Sequence, residues 1–244
     1  GDFVQSEPDT GRPATERTEV RVAFDDSNLT LSVLGSATDD TLRSDVSRGS
    51  TGQGQEGIRA SNANNAALTV MVDNVNITGF GGAALRVGQV PGNGSALSRL
   101  SATITGNRIE SPASTTTASV VVNLSSTPGT VSQSRLLIAQ NTSPLGAGVN
   151  QYALPPGILI STPDAGTTPA VDLTIRGNHV DMRESSPGSG VHGPVGISVQ
   201  ATRGTMCTNV LSNISHWYPT GFNPQGGGIR LEQSGTGVLR LERG

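Results

Sequence analysis

The sequence predicts an all-β fold, a single-stranded parallel β-helix with an asparagine ladder and looped-out insertions. The first observation behind this prediction is an alternating apolar strand that runs into an asparagine corner, as in residues 171–180 (VDLTIRGNHV) and 100–109 (LSATITGNRI). Repetition at a period of this length is typical of stacked solenoids. The corner asparagines of the four copies, spaced 34, 37 and 35 residues apart, are Asn107, Asn141, Asn178 and Asn213.

The second observation is a short strand phrase between the copies of the first, each with two inward apolar residues. Its copies begin at Gly57, Ala84, Ser119, Gly157, Gly196 and Gly228. A coil of strand, corner, variable loop, small residue and strand is what a parallel β-helix requires, because each coil stacks on the next with like residues in register. Asparagine suits the corner since it tolerates left-handed backbone, and stacked amides hydrogen-bond along the axis. In one earlier coil the register places Val75 at the asparagine position.

Taken in order, residues 1–17 are polar, contain proline and show no period, which predicts an extended arm or linker. The β-helix is predicted over residues 18–244. Alternation in 18–24 and 29–33 predicts the first coil, and a loop is predicted over 35–56. Inward-facing positions are predicted at Ile104, Ile109, Ile158, Ile175, Val180, Ile197, Val210 and Ile229.

The later coils are interrupted by loops of variable length, which is where solenoids add function. At the C-terminal side, residues 228–231 and 238–241 form two apolar strands without a polar cap. A last rung of this kind exposes apolar side chains and unpaired strand edges. The first coil, residues 18–33, is expected to present two more open apolar strands, so we expect terminal coils that stack end to end on other copies.

Composition excludes several classes of protein. A net charge of −3 and a pI near 5.6 give no reason to expect a nucleic acid or an anionic membrane as partner. The sequence has no run of apolar residues long enough for a transmembrane segment. All 16 basic residues are arginine, which excludes a P-loop lysine and a Schiff-base lysine. Cys207 is the single cysteine, so intrachain disulfides are impossible.

Two parts of the sequence carry a resemblance to known proteins. Residues 173–180 (LTIRGNHV) and 196–199 (GISV) resemble coils of right-handed parallel β-helices. Residues 228–241 (GIRLEQSGTGVLRL) resemble segments of very large exported bacterial repeat proteins of the surface, fibre or adhesin type. The resemblance implies an extracellular or cell-surface location. The same architecture serves pectate lyases and phage tailspikes, although residues 190–193 (GVHG) depart from the polygalacturonase pattern.

One group of side chains suggests chemistry. Matching the corners of successive coils predicts Asp181 and His216 on adjacent rungs, followed by Met182 beside Trp217 and Arg183 beside Tyr218. A carboxylate next to an imidazole is suited to general acid–base catalysis. Trp217 and Tyr218 are suited to stacking on a sugar ring. The alternative is a surface ion pair with aromatic residues packed under a loop.

Two acidic pairs are weak candidates for calcium. Asp25 with Asp26, and Asp39 with Asp40, supply the oxygen ligands that calcium prefers. Neither pair matches an EF-hand loop or the glycine-rich nonapeptide of calcium-loaded β-rolls, and solvated turns are the favoured explanation of both pairs. We expect no cofactor, with calcium left open.

The sequence thus favours a structural or adhesive module, not an enzyme, whose partners are other copies of itself and, as a further possibility, surface glycans. The alternative is a carbohydrate-binding or polysaccharide-degrading β-helix, either a lyase or a glycoside hydrolase, that acts through the surface around Asp181 and His216.

Overall fold

The structure, a computed structural model, describes most of the repeat region. Its described residues are 18–25, 28–35, 41–43, 56–63, 67–78, 83–88, 99–109, 118–124, 133–143, 157–162, 169–183, 195–218 and 227–242. The predicted arm over residues 1–17 lies outside them.

The described residues form β-strands and no helix. In chain order the strands are β1 (Thr18–Asp25), β2 (Leu29–Leu34), β3 (Thr41–Arg43), β4 (Glu56–Ala63), β5 (Ala67–Asp73), β6 (Asn76–Thr78), β7 (Leu85–Gly88), β8 (Arg99–Thr105), β9 (Arg108–Ile109), β10 (Val120–Asn123), β11 (Gln133–Ala139), β12 (Thr142–Ser143), β13 (Ile158–Ser161), β14 (Ala170–Arg176), β15 (His179–Arg183), β16 (Val195–Ala201), β17 (Thr205–Leu211), β18 (Ile214–Tyr218), β19 (Gly227–Gln233) and β20 (Val238–Leu241).

Each coil contributes strands to three parallel sheets in turn. The first sheet has the order β1-β4-β7-β10-β13-β16-β19, and the second has the order β2-β5-β8-β11-β14-β17-β20. The third sheet, with six strands, contains β3, β6, β9, β12, β15 and β18. Neighbouring strands in each sheet come from successive coils, which is the arrangement of a parallel β-helix. The predicted fold class is therefore confirmed.

The core is built from columns of like side chains that run through the coils. In the first sheet one column is formed by residues in direct register: Ile58, Leu85, Val120, Ile158, Ile197 and Ile229. In the second sheet Val72, Ile104, Ile138 and Ile175 are in register, and each is fully buried. Alternating strands bury every second residue because successive side chains point to opposite faces.

Two of the predicted inward residues are less buried than expected. Val210 is half-buried, and Ile229 is 38% exposed, although both continue inward columns. The reason is the absence of a covering rung in the described residues. Strand β20 pairs only with the part of β17 from Thr205 to Thr208, and β19 is the last strand of its sheet.

The asparagine ladder is present at the corner between the second and third sheets. Asn178, which is completely buried, donates from Nδ2 to Asn213 Oδ1 (2.8 Å) and to the carbonyl of Ile138 (2.9 Å). Its own Oδ1 accepts from the Asn141 backbone N–H (3.1 Å) and from Asn141 Nδ2 (2.9 Å). Asn107 and Asn141 repeat this pattern one coil earlier. Each amide therefore bonds to the coil before it and the coil after it.

The lapse of the ladder in the second coil is also confirmed. Val75 takes the asparagine position, and its backbone N–H donates to Asn107 Oδ1 (3.0 Å). The ladder therefore begins at Asn107. Its amide oxygen accepts from the backbone N–H of Val75, whereas the amide oxygen of Asn141 in the next coil also accepts from a side-chain Nδ2.

The left-handed residue of the corner is not the asparagine, and the prediction on this point is wrong. Positive φ occurs one residue earlier, at Gly106 (66°), Gln140 (56°), Gly177 (62°) and Ser212 (50°). The ladder selects asparagine for its carboxamide, which can donate and accept along the axis at once. The sharp turn of the backbone is made by the preceding residue, where glycine has the least steric cost.

The predicted loop over residues 35–56 contains a strand that the sequence pattern misses. Strand β3 has three residues and pairs with β6 of the next coil. Alternation over three residues is too short to be recognised, and the strand forms because its neighbour supplies a paired edge. The two-residue strands β9 and β12 are shorter still, but they stand where the repeat predicts one last strand segment after each corner.

We predict that replacing Asn178 with alanine destabilises the fold by about 2–3 kcal/mol, because several buried groups lose their partners together. Asn213→Ala should cost about 1 kcal/mol, since Asn213 is half-buried at the end of the ladder and water can replace part of what is lost. Urea denaturation of both variants measures the two changes. Equal losses would contradict a ladder whose middle is better protected than its end.

We also predict that Gln140→Gly stabilises the protein by about 0.5–1 kcal/mol, since it removes left-handed strain at an exposed position. Gln140→Ala is the matched control, because it removes the same side-chain atoms beyond Cβ but keeps the strain. Thermal unfolding should rank glycine above glutamine and alanine. A glycine variant that melts below the alanine variant would contradict this explanation of the corner.

Candidate functional site

The candidate site lies on the outer face of the third sheet, on the adjacent strands β15 and β18. Val180 in the middle of β15 is buried in the core. His179 and Asp181 on either side of it therefore point outward on the same face. This arrangement follows from the corner, because Asn178 starts the strand at a defined position and each later residue alternates from there.

The predicted pairing of Asp181 with His216 is confirmed. The two residues are in direct register between β15 and β18, and His216 Nδ1 lies 3.4 Å from Asp181 Oδ1. His179 Nε2 lies 3.0 Å from the same oxygen and 3.3 Å from His216 Nδ1. The two imidazole rings meet edge to face, with centroids 5.0 Å apart. One carboxylate oxygen is thus shared by two imidazole nitrogens.

His179 was missed as a site residue. The signal was available in the sequence, because residues two apart on a strand share a face and His179 stands two residues before Asp181. The pairs between adjacent rungs do not include this relation. His179 is in register with Ile214 and therefore meets His216 on a diagonal.

The site is open to solvent on its outer side. The side chains of His179 and His216 are 41% and 53% exposed, whereas that of Asp181 is 19% exposed. Thr142 and Ile214 occupy the neighbouring rungs beside His179. The carboxylate of Asp181 is therefore more buried than the two imidazoles, which form the exposed rim of the site. Such a set can transfer a proton or hold a metal ion.

The other predicted site residues are placed only in part. The backbone of Arg183 pairs with that of Tyr218, and Met182 pairs with Trp217, as the register predicts. The side chains of Arg183, Trp217 and Tyr218 lie outside the described part of the structure, so a sugar-binding platform stays a prediction.

The side chains of the calcium candidates lie outside the described part of the structure. Asp25 ends β1, and Asp26, Asp39 and Asp40 lie outside the described residues. Among the described residues, His179, Asp181 and His216 form the one group of three side chains whose ligand atoms are close enough to share a metal ion.

Two further polar features lie away from the candidate site: a buried carboxylate with arginine partners, and an open groove. Glu56 is buried and contacts Arg86 of the next coil, and it also lies 3.6 Å from Arg59. These arginines neutralise a carboxylate that would otherwise be costly to bury. An open groove of about 760 Å³ follows the starts of the second-sheet strands, and an exposed pair of Arg135 and Asp172 lines it.

Comparison of the chain with protein families, with curated proteins and with solved structures finds no match. No helix in the described part of the chain has the length and apolar character needed to cross a membrane. The solenoid and its side chains are therefore the basis for any functional proposal.

Proposed function

We propose that the chain is a structural module of an exported surface protein or fibre, and that its copies stack end to end through the C-terminal rung. The observation that carries this proposal is the exposure of inward-facing apolar residues on that rung. Leu241 is in register with the fully buried Thr208, yet it is 64% exposed. Ile229 is in register with the fully buried Ile197, yet it is 38% exposed.

The ladder ends at the same face. Asn178 donates its backbone N–H and an Nδ2 hydrogen to the amide oxygen of the next coil, at Asn213. Asn213 bonds back to the carbonyl of Ile175, but its backbone N–H has no acceptor among the described residues. A further coil would supply strand edges for β19 and β20, apolar cover for Leu241 and an acceptor for Asn213. The surface therefore matches another β-solenoid coil.

The N-terminal coil differs from the expectation of an open apolar face. Leu29 and Leu31 in β2 are only 5% and 4% exposed, so the inward side chains of this strand are already covered. Among the described residues, β1 and β2 are edge strands of their sheets, and their outer edges are what this end offers to a joint. In the proposed joint the apolar burial comes from the C-terminal rung and the edge pairing from both partners.

Several properties support a structural role over an enzymatic one. The ladder and the apolar columns give a regular rod in which each coil is stabilised by its neighbours. The resemblance of residues 228–241 to large exported repeat proteins supports a place outside the cell. Head-to-tail contacts between such rods do not close on themselves when the rotation per joint is small, so they produce filaments.

We predict that Leu241→Asp weakens each joint at least about tenfold, because it removes the burial of a leucine and adds a charge at the interface. Light scattering over a range of concentrations should show assemblies for the parent and shorter ones for the variant. Met71→Asp is the matched control, since Met71 is 41% exposed on a lateral face of a coil that is covered on both sides.

Three outcomes would contradict the proposal. If the unsubstituted protein stays monomeric at high concentration, the proposed end-to-end contact does not form. Dimers that do not grow further would show a C-terminal rung that pairs with itself, which excludes a fibre. Equal effects of Leu241→Asp and Met71→Asp would place the contact on the sides of the rod.

The contact between Asp181 and His216 supports a second candidate, a carbohydrate-binding or polysaccharide-degrading surface. If the surface binds or cleaves glycans, Trp217→Ala should abolish retention on an immobilised polysaccharide, and His216→Ala should abolish release of reducing or unsaturated ends. Thr142→Ala, on a neighbouring rung of the same sheet, is the control that should retain both. A panel of acidic and neutral polysaccharides that shows neither retention nor cleavage would rule out this candidate.

A further inference from the structure

The strands β15 and β18 bring two of the three histidines of the chain to the same carboxylate. His179 and Asp181 come from one coil, and His216 comes from the next. Their positions are set by strand alternation and by rung register, and not by a flexible loop. A site built on two paired strands holds its side chains at defined separations.

The three ligand atoms form a nearly regular triangle. The separations are 3.0 Å between His179 Nε2 and Asp181 Oδ1, 3.3 Å between the two imidazole nitrogens, and 3.4 Å between His216 Nδ1 and Asp181 Oδ1. Metal–ligand bonds of about 2.0–2.1 Å directed to the corners of a tetrahedron place neighbouring donor atoms roughly 3.3–3.4 Å apart. Octahedral bonds of the same length place them roughly 2.9 Å apart. The triangle has the size of one face of a coordination polyhedron.

The donor types narrow the choice of ion. Two imidazole nitrogens and one carboxylate oxygen suit zinc and the neighbouring first-row divalent metals. Calcium and magnesium prefer sites made of oxygen ligands, and this cluster offers a single carboxylate. Its exposed rim leaves the remaining coordination positions accessible to water or to an incoming ligand.

We propose that His179 Nε2, Asp181 Oδ1 and His216 Nδ1 bind a divalent first-row transition-metal ion such as Zn²⁺, with at least one coordination position open to solvent. The ion links two successive coils across the third sheet. Binding therefore stabilises the folded protein by linkage, because the three ligands come together only when the coils are stacked. The site is independent of how the rods assemble.

The test uses the full chain without a histidine tag, prepared free of metal, in a Cys207→Ser background that removes the one competing thiol. Titration calorimetry with ZnCl₂ should give one ion per chain with a dissociation constant in the micromolar range or below. Saturating Zn²⁺ should raise the unfolding temperature. Co²⁺ should give the intense visible absorption of a four- or five-coordinate ion.

The variants His179→Ala, Asp181→Asn and His216→Ala should each weaken binding by more than about 100-fold, beyond the roughly 10–100-fold typical for loss of an outer-shell partner. Asp172→Asn, which removes an exposed carboxylate on the second sheet, is the control that should bind as the parent does. Unfolding of the metal-free variants at the parent temperature would show that each still folds. Absence of stoichiometric Zn²⁺ binding, or binding that survives His216→Ala, would overturn the proposal.

Discussion

The side-chain hydrogen bonds between successive asparagines are the interaction on which the register of the solenoid depends. The backbone pairs of a parallel sheet would accept a shifted partner, because every residue offers the same N–H and carbonyl groups. A shift of one residue would turn an inward column outward and leave Asn141 and Asn178 without their amide partners in a buried corner. The ladder and the apolar columns therefore select the same alignment, and that alignment also brings Asp181 opposite His216.

Much of the fold could be predicted from the sequence because successive coils of a solenoid carry the same sequence pattern. The column through Ile158 and Ile197, the ladder at Asn178 and the lapse at Val75 all follow from aligning one coil with the next. The first strand of the third sheet, β3, could not be predicted in the same way. A segment such as β3 has no periodicity of its own, and its conformation is determined by the neighbouring coil.

The wrong predictions have a common cause. The repeat pattern identifies the positions that recur, but it does not show the physical reason for their recurrence. Two reasons were expected for the asparagine that recurs at the corner, its tolerance of left-handed backbone and the stacking of its amide, and only the first is wrong. The structure shows that the carboxamide is used, while Gln140 and Ser212 accept the left-handed turn where glycine is absent. Leu29 and Leu31 were likewise expected to be open, since their position in the first coil gives no information on what covers them.

The candidate site could be predicted in part for a related reason. Register placed Asp181 and His216 together, whereas His179 joins them on a diagonal between rungs. The spacing of two residues indicates that His179 shares a face with Asp181, but how closely it approaches His216 depends on the twist of the sheet and on side-chain rotamers, which a repeat pattern does not specify. The separations among the three ligand atoms, which decide what the group can bind, therefore required the structure.

The ladder also gives the rod a direction. Asn107, Asn141 and Asn178 each donate from Nδ2 to the amide oxygen of the next coil, and each also donates back to a carbonyl of the preceding coil. The amide dipoles are therefore aligned head to tail and polarise one another, as in a chain of hydrogen bonds in ice. At the N-terminal end of the column the Asn107 oxygen is already bonded by the Val75 backbone N–H, whereas at the C-terminal end the Asn213 backbone N–H has no acceptor among the described residues. The two ends of the column therefore differ, and the corner amides give the rod a polarity inside an otherwise apolar interior.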